Sequence, residues 1–233
     1  MSTIETKIVA FFNQKGGCGK TMSSMQIGGA FALAGNRVAI FDMDPQGTAT
    51  FWSGTSDPSE PFPASVIPMG TMVDQFVDRV RSFVGKYHLI VLDCPPAVES
   101  DVAWKALLMA DFAFIPVIPA LDNVWASRRA EELYLAAKEK NNNLQCYYLL
   151  SAMQRGAVID QTVEVLKEQA KVPVLNNAIY LRNVYKECQY IGATVCSPSM
   201  RGRGAKAAAE DVGNVCREIA AITGIKYGQG KGK

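Results

Sequence analysis

The chain has 233 residues, 48% of them apolar, and a formal charge of +2 at pH 7. This length and composition allow a full buried core, so we expect one domain over residues 1–233. The small charge gives no argument for a nucleic-acid partner, and six scattered cysteines beside a single histidine exclude a zinc site of the usual spacing.

Apolar, strand-like segments alternate along the chain with segments of helical spacing. The predicted strands are 8–12, 37–42, 87–93, 112–117, 144–150 and 172–175. The predicted helices are 20–34, 71–84, 100–110, 122–140, 158–170 and 204–222. This alternation predicts an α/β fold with a mostly parallel, twisted sheet and helices on both faces. The proline-rich stretch 53–68 is predicted to be an irregular surface connection, and the glycine-rich end 224–233 a frayed tail.

The first predicted strand leads into a glycine-rich turn, KGGCGKT at residues 15–21, and a predicted helix follows. This is the context of a phosphate-binding loop, where backbone N–H groups and the helix N-terminus face phosphate oxygens. Lys20 is predicted to bind the outer phosphates and the Thr21 hydroxyl to bind Mg²⁺. Gln14 replaces the usual glycine, so the loop is a variant, and Lys15 is one lysine more than nucleotide binding requires. The predicted nucleotide-binding residues here are Lys15, Gly16, Gly17, Cys18, Gly19, Lys20, Thr21 and Met22.

Acidic residues follow two other predicted strands, at the edge where a parallel sheet gathers ligand-binding groups. Asp42 and Asp44 are two positions apart at a strand end and therefore project to the same side. Asp44 is predicted to orient the attacking water as a catalytic residue, and Asp42 to support the magnesium shell or the loop. Asp93 ends an apolar strand, as in a Walker B motif. The predicted metal-binding residues are Thr21, Asp42 and Asp93.

These motifs resemble those of the deviant Walker A ATPases of the ParA/MinD superfamily, most closely the short ParA-type partition ATPases. The similarity covers about residues 7–222 and rests on KGGCGKT at 15–21, DMDPQGTAT at 42–50 and LIVLDCPP at 89–96. It implies a P-loop NTPase fold, ATP and Mg²⁺ as ligands, and weak basal hydrolysis of ATP to ADP and phosphate. It also implies an ATP-dependent homodimer, in which Lys15 is catalytic beside Lys20 and reaches the phosphates of the partner subunit.

The resemblance further implies a positioning ATPase whose ATP dimers bind nonspecific DNA. A cargo-bound, ParB-like partner would stimulate hydrolysis and release, and the cargo could be a plasmid, a chromosome region or a protein assembly. The predicted DNA-binding residues are Arg182, Lys186, Arg201, Arg203 and Lys206, spaced by small residues that permit close approach to a phosphate backbone. Nearby acidic residues also allow a merely solvated surface. Purine contacts are predicted at Met153, Arg155 and Tyr180, in loops after the later strands.

A MinD-type, membrane-associated regulator of cell division is the alternative. It requires a C-terminal amphipathic helix, and the sequence 224–233 is too glycine-rich to form one. An iron–sulfur ATPase requires paired cysteines, which are absent from the sequence. A small-molecule kinase or synthetase stays possible, without a substrate motif. We recognise no signal peptide or membrane span, so we expect a cytoplasmic protein without a membrane partner, and the resemblance to ParA-type ATPases implies nucleoid association.

Overall fold

The computed structural model describes residues 4–70, 75–96, 101–202 and 204–228. The predicted DNA contact Arg203 lies outside this part of the chain. So do parts of two predicted helices, at 71–74 and at 100, and residues 229–233 of the predicted tail. Within the described ranges, none of the helices combines the length and the apolar character that crossing a membrane requires.

A single sheet of parallel strands forms the centre of the molecule. The strands are β1 (Lys7–Phe11), β2 (Val38–Asp42), β3 (Ser65–Pro68), β4 (Leu89–Asp93), β5 (Phe112–Val117) and β6 (Gln145–Leu150). Their order across the sheet is β3-β2-β4-β1-β5-β6. All neighbours pair in parallel, so the carboxyl ends of β1, β2 and β4 lie side by side at one edge. That edge is where a parallel α/β sheet binds its ligands.

Helices cover both faces of this sheet. They are α1 (Lys20–Leu33), α2 (Thr48–Gly54), α3 (Phe76–Arg81), α4 (Val102–Met109), α5 (Leu121–Lys138), α6 (Ala157–Gln169), α7 (Val184–Ile191) and α8 (Lys206–Thr223). Side chains alternate along each strand, so Val9 and Phe11 of β1 join a core with α1, α2, α7 and α8. Ile8 and Ala10 join a second core with α3, α4, α5 and α6. The predicted parallel sheet with helices on both faces is confirmed.

Four local predictions are wrong or incomplete. The segment 172–175 is not a strand, because Val174 makes only an isolated bridge with Tyr148, and Pro173 lacks the N–H that a longer ladder needs. The connection at 53–68 is not irregular throughout, since its last four residues form β3 at the edge of the sheet, where proline is tolerated. The predicted tail is not frayed at its start, since Ile225 is buried and the ring of Tyr227 packs against Phe31. The helices α2 and α7 are short and were not predicted from the sequence pattern.

Candidate nucleotide-binding site

The glycine-rich loop connects the end of β1 to the start of α1. Gly17 and Gly19 have φ angles of 72° and 96°, which glycine adopts without strain. A Cβ added at Gly16 or Gly17 would meet no atom within 4 Å, so the outer side of the loop is open. A Cβ at Gly19 would lie 2.3 Å from Ser151 Oγ, so the loop also packs tightly against the end of β6. A ligand can therefore reach the loop backbone at Gly16 and Gly17, while the loop is fixed at Gly19 by its packing against Ser151.

Lys20 occupies the first position of α1 and is only 6% exposed. Its ammonium donates to the backbone carbonyl of Lys15 at 3.1 Å and lies 3.9 Å from Cys18 Sγ. In the ranges that the structure describes, Lys20 forms no ion pair. A buried cation at a helix N-terminus attracts an anion strongly, because both the ammonium and the exposed N–H groups favour negative charge.

Asp42 and Asp93 are opposite one another in the register of β2 and β4, and both are buried. Asp93 Oδ1 accepts a hydrogen bond from Ser24 Oγ at 3.1 Å, whereas its buried Oδ2 has no partner in the described chain. Burial raises the pKa of Asp93 to about 7, the nearby hydroxyls of Thr21 and Ser24 oppose this rise, and the Asp42 charge adds to it. Thr21 and Asp93 therefore place oxygen ligands together, as a Mg²⁺ site requires.

Asp42 has a different environment, because both of its oxygens accept hydrogen bonds. Oδ2 accepts from the backbone N and the Oγ1 of Thr50, at 2.8 and 2.7 Å, and so fixes the first turns of α2. Oδ1 accepts a long bond of 3.3 Å from the backbone N of Asp44. Asp42 lies beside the predicted metal ligand Asp93, but its observed contacts brace the turn at 43–50. Direct contact of Asp42 with a metal stays a prediction.

Asp44 begins the tight turn between β2 and α2. It is partly exposed, and its Oδ1 accepts a hydrogen bond from the backbone N of Gln46 at 2.9 Å. Gly47 closes the turn with a φ of 65° and a backbone bond to the carbonyl of Asp44. Gly70 packs so closely on this turn that an added Cβ would lie 2.6 Å from the Asp44 carbonyl oxygen. The turn is held from both sides, while Oδ2 of Asp44 accepts no hydrogen bond from the residues that the structure describes.

Lys15 is attached to α5 through both its backbone and its side chain. Its Nζ forms an ion pair of 2.6 Å with Asp122 Oδ2, in the first turn of that helix. Its backbone N donates to Asn13 Oδ1 at 3.1 Å. Buried Asn13 in turn donates through Nδ2 to the Pro116 carbonyl and to Ser127 Oγ. Neither Asn13 nor Asp122 was predicted as a site residue, since each is recognised only from contacts more than 100 positions away in the sequence.

A cavity of about 220 Å³ adjoins the glycine loop. Gly17, Gly19, Tyr180 and Tyr185 are among the residues that line it. A second cavity, of about 510 Å³, is lined by the other predicted purine contacts, Met153 and Arg155, and shares Tyr180 with the first. Backbone bonds from Met153 to Ile179 and from Leu181 to Met153 join the two loops. The structure therefore brings all three predicted purine contacts together near the loop.

Two hydroxyl groups of this region were missed by the sequence analysis. Ser151 Oγ and Tyr185 OH are buried, have no hydrogen-bond partner in the described chain, and belong to residues that line the smaller cavity. Burial raises the pKa of Tyr185 well above its ordinary value. Both hydroxyls are therefore protonated and can donate to a ligand. Nothing in the local sequence marks either residue, because the two come together only at the cavity of the folded chain.

The predicted DNA-binding residues separate into two groups in the structure. Arg182 and Lys186 line the cavity beside the glycine loop. Arg182 is held by Asp211 of α8, at 2.8 Å from Nε and from one terminal nitrogen, and lies over the ring of Tyr180. Arg201 and Lys206 are exposed at the start of the α8 region. DNA contact by any of these residues stays a prediction.

Residues 9–190 match the model of the CobQ/CobB/MinD/ParA nucleotide-binding domain family. The chain is 27% identical to maintenance of carboxysome distribution protein A of Halothiobacillus neapolitanus, over 94% of this chain and 99% of that relative. It is 26% identical to the chromosome partitioning protein ParA of Myxococcus xanthus, over 85% of this chain and 83% of that relative. Among solved structures it is similar to septum site-determining protein MinD of Pyrococcus horikoshii complexed with Mg-ADP. That likeness has a TM-score of 0.73 and 19% identity, over 94% of this chain and 98% of the other.

Proposed function

Because this chain belongs to the family of CobQ/CobB/MinD/ParA nucleotide-binding domains, we propose that it is a Mg²⁺-dependent ATPase that positions a cargo inside the cell. The predicted family and the predicted P-loop fold are confirmed. The relatives from Halothiobacillus and Myxococcus carry names of positioning proteins, for carboxysome distribution and for chromosome partitioning. The whole chain is proposed to act as one ATPase domain.

The observation that carries the proposal is the joint environment of Lys20 and Asp93. Within the described ranges, the ammonium of Lys20 on α1 forms no ion pair, and Oδ2 of Asp93 on β4 has no hydrogen-bond partner. A buried cation and a buried carboxylate with free bonding capacity are costly unless ligands complete them. A nucleotide phosphate and a hydrated Mg²⁺ would complete both, so the residues present fit these ligands. Mg²⁺ bound by Thr21 and Asp93 would supply charge neutralisation at the phosphates.

The remaining roles follow from the open side of the loop. Backbone N–H groups of the loop at residues 16–20 hold phosphate oxygens, and Lys20 neutralises their charge. Asp44 is fixed in its turn through Oδ1, its Oδ2 accepts no hydrogen bond within the described ranges, and it orients the attacking water. Asp42 braces the turn that carries Asp44, through its bonds to Thr50. Tyr180, with the hydroxyls of Ser151 and Tyr185, faces the base and sugar.

Lys15 couples this site to a second copy of the chain. Its side chain is 34% exposed, and the pairing with Asp122 leaves it at the surface of the loop. In an ATP-bound dimer, Lys15 contacts the phosphates of the partner subunit, so stabilisation of the developing charge requires association. Arg201 and Lys206 then contribute to a basic surface for nonspecific DNA, and a cargo-bound adaptor stimulates hydrolysis and release. The names of the relatives allow either a protein or a chromosomal cargo. The likeness to MinD, at 19% identity, supports the fold alone and gives no preference for a membrane role.

The test is co-sedimentation of the full chain with DNA or with anionic liposomes, each with ATP, ADP or no nucleotide, together with the mass in solution. We expect an ATP-dependent dimer that sediments with DNA and not with liposomes. Lys15→Ala should keep nucleotide binding and lose the dimer or its stimulated hydrolysis. If the chain sediments with liposomes and not with DNA, the membrane-associated alternative is favoured. If Lys15→Ala dimerises and hydrolyses ATP normally, the proposed role of Lys15 is wrong.

A further inference from the structure

The side chain of Lys15 is held within its own subunit by Asp122. Nζ of Lys15 is 2.6 Å from Asp122 Oδ2, although the two residues are 107 positions apart in the sequence. The Lys15 ammonium is the largest cause of the lowered pKa of Asp122, so the carboxylate is charged whenever it meets the lysine near neutral pH. A lysine held in this way does not extend away from its own subunit.

The backbone of Lys15 is attached to the same helix. Asn13 is 3% exposed and accepts the N–H of Lys15, while its amide nitrogen donates to Ser127 of α5 and to the Pro116 carbonyl. The Ser127 hydroxyl donates to the Asn123 carbonyl, one residue beyond Asp122. This buried set fixes the start of the loop relative to the first turns of α5. The Lys15–Asp122 ion pair is the exposed part of the same attachment, and it can break without disturbing the buried part.

Asp122 stays stabilised after Lys15 leaves it. It lies in the first turn of α5, where backbone N–H groups point at the carboxylate and contribute to its lowered pKa. The side chain is also 70% exposed, so water replaces the ammonium readily. Breaking the pair therefore leaves no buried, uncompensated charge. The Lys15–Asp122 ion pair can therefore form and break reversibly, so that Lys15 pairs either with Asp122 or with another anion.

We propose that Asp122 is a positioning residue that retains Lys15 in the single subunit and thereby opposes ATP-dependent dimerisation. This inference rests on the proposed function, in which Lys15 transfers to the phosphates of the second copy. An exposed ion pair contributes modestly, equivalent to about a 1.5- to 5-fold change in an equilibrium constant. A symmetric dimer must break two such pairs, so the fold-changes multiply. The dimer dissociation constant should change by about 2- to 25-fold when the pair is removed.

The test compares Asp122→Asn with the wild-type chain and with Asp78→Asn. Asp78 is a matched control, since it is an exposed aspartate in the first turn of α3 that pairs with Arg81 instead. Analytical ultracentrifugation across protein concentrations, with ATP and Mg²⁺, gives the dimer dissociation constant. We expect tighter dimerisation and faster basal hydrolysis for Asp122→Asn, values close to wild type for Asp78→Asn, and recovery towards wild type for Asp122→Glu.

A second measurement needs no nucleotide. The rate of acetylation of Lys15 by a succinimidyl ester, followed by mass spectrometry of peptides, should rise several-fold in Asp122→Asn and stay unchanged in Asp78→Asn. In a Lys15→Ala background, Asp122→Asn should have no effect on association, because the lysine it retains is absent.

The outcomes separate this inference from the proposed function. A wild-type chain that dimerises with ATP, with Asp122→Asn giving the same dissociation constant and the same Lys15 acetylation, overturns the role of Asp122 alone. A wild-type chain that stays monomeric with ATP overturns both.

Discussion

Asp42 and Asp93 are paired across β2 and β4, yet their carboxylates are used in opposite ways. Asp42 accepts three hydrogen bonds from the turn and helix that follow β2. Asp93 accepts one from Ser24 through Oδ1 and leaves Oδ2 buried without a hydrogen-bond partner in the described chain. Asp42 therefore stabilises the turn after β2, whereas Asp93 is a candidate ligand.

The Asp93→Asn change should alter the pH dependence of stability in the metal-free protein. Burial raises the pKa of Asp93 to about 7, so between about pH 4 and pH 7 the folded state binds a proton that the unfolded state releases. Its contribution to the free energy of unfolding is complete at low pH and is lost as pH rises through 7. Urea unfolding with a chelator should show that the free energy of unfolding falls by a few kcal/mol between about pH 4 and pH 7 in wild type and not in Asp93→Asn.

The same experiment has a ligand arm. Added Mg²⁺ and ADP should restore stability at pH 8 to the wild-type chain and much less to Asp93→Asn, because the carboxylate that offsets the metal charge is missing. If the free energy of unfolding had the same pH dependence in wild type and in Asp93→Asn, the pKa of Asp93 would not be raised and the prediction would be wrong.

The Asp44→Ala change should slow ATP turnover at least about tenfold and let ATP-bound dimers accumulate, since the water is no longer oriented. Stability should fall by only about 1 kcal/mol, because Asp44 makes one turn bond to Gln46 and is partly exposed. Asp57→Ala is the matched control, as Asp57 accepts the same type of bond from Ser59 in a different turn. Phosphate release and mass in solution measure the effects. Equal turnover in the two variants would place the water-orienting group elsewhere.

The Gly19→Ala change should damage the loop more than backbone strain alone explains. Gly19 and Gly35 have similar φ angles, 96° and 93°, but only at Gly19 would an added Cβ meet another side chain, Ser151 Oγ at 2.3 Å. Gly35→Ala should therefore cost about 1–3 kcal/mol of stability without loss of ADP affinity. Gly19→Ala should cost more and lower ADP affinity, measured by urea unfolding and calorimetry.

A second substitution separates the two causes. Adding Ser151→Gly to Gly19→Ala should recover part of the lost stability, because it removes the colliding hydroxyl. If Gly19→Ala and Gly35→Ala lower the free energy of unfolding equally, backbone strain alone explains both effects.

Substitutions in the basic residues should separate nucleotide binding from DNA binding. Arg182→Ala should lower ADP affinity, since Arg182 lines the cavity beside the loop and lies over Tyr180. Lys206→Ala should leave ADP affinity unchanged, weaken DNA binding at every sequence, and reduce its salt slope by about 1. Calorimetry and DNA binding over a salt series measure the two effects. If Arg182→Ala has normal ADP affinity and weaker DNA binding, Arg182 contacts DNA, as the sequence predicted, and not the nucleotide.

The sheet and the glycine loop are predictable because their signals are local. An apolar run followed by KGGCGKT and a helical pattern specifies a strand, a phosphate loop and a helix within about 30 residues. The division of labour between Asp42 and Asp93 is not local, since it depends on Thr50 and Ser24 reaching different oxygens. The attachment of Lys15 to Asp122 is equally hidden, because its two partners lie in segments that are adjacent only in the folded sheet.

The failures in secondary structure have the same origin. β3 is a short edge strand with two exposed and two half-buried side chains, so its sequence lacks a strong apolar pattern. α2 has seven residues and depends on the Asp42 carboxylate at its first turn, a contact supplied by the preceding strand. The helix α7 has eight residues and is covered by the core that α1 and α8 complete. None of these elements could be identified without its tertiary neighbours.

The packing of α1 against α8 has a consequence for the order in which the protein is made. α1 begins at the glycine loop and is synthesised well before α8, which covers its apolar face and lies about 180 residues later. Gln26 of α1 likewise accepts a hydrogen bond from Val195 across 169 positions. A nascent chain on the ribosome therefore carries its phosphate loop before the helix that packs against α1 has been made. We expect nucleotide binding only after α8 has emerged, so truncated products should not sequester ATP.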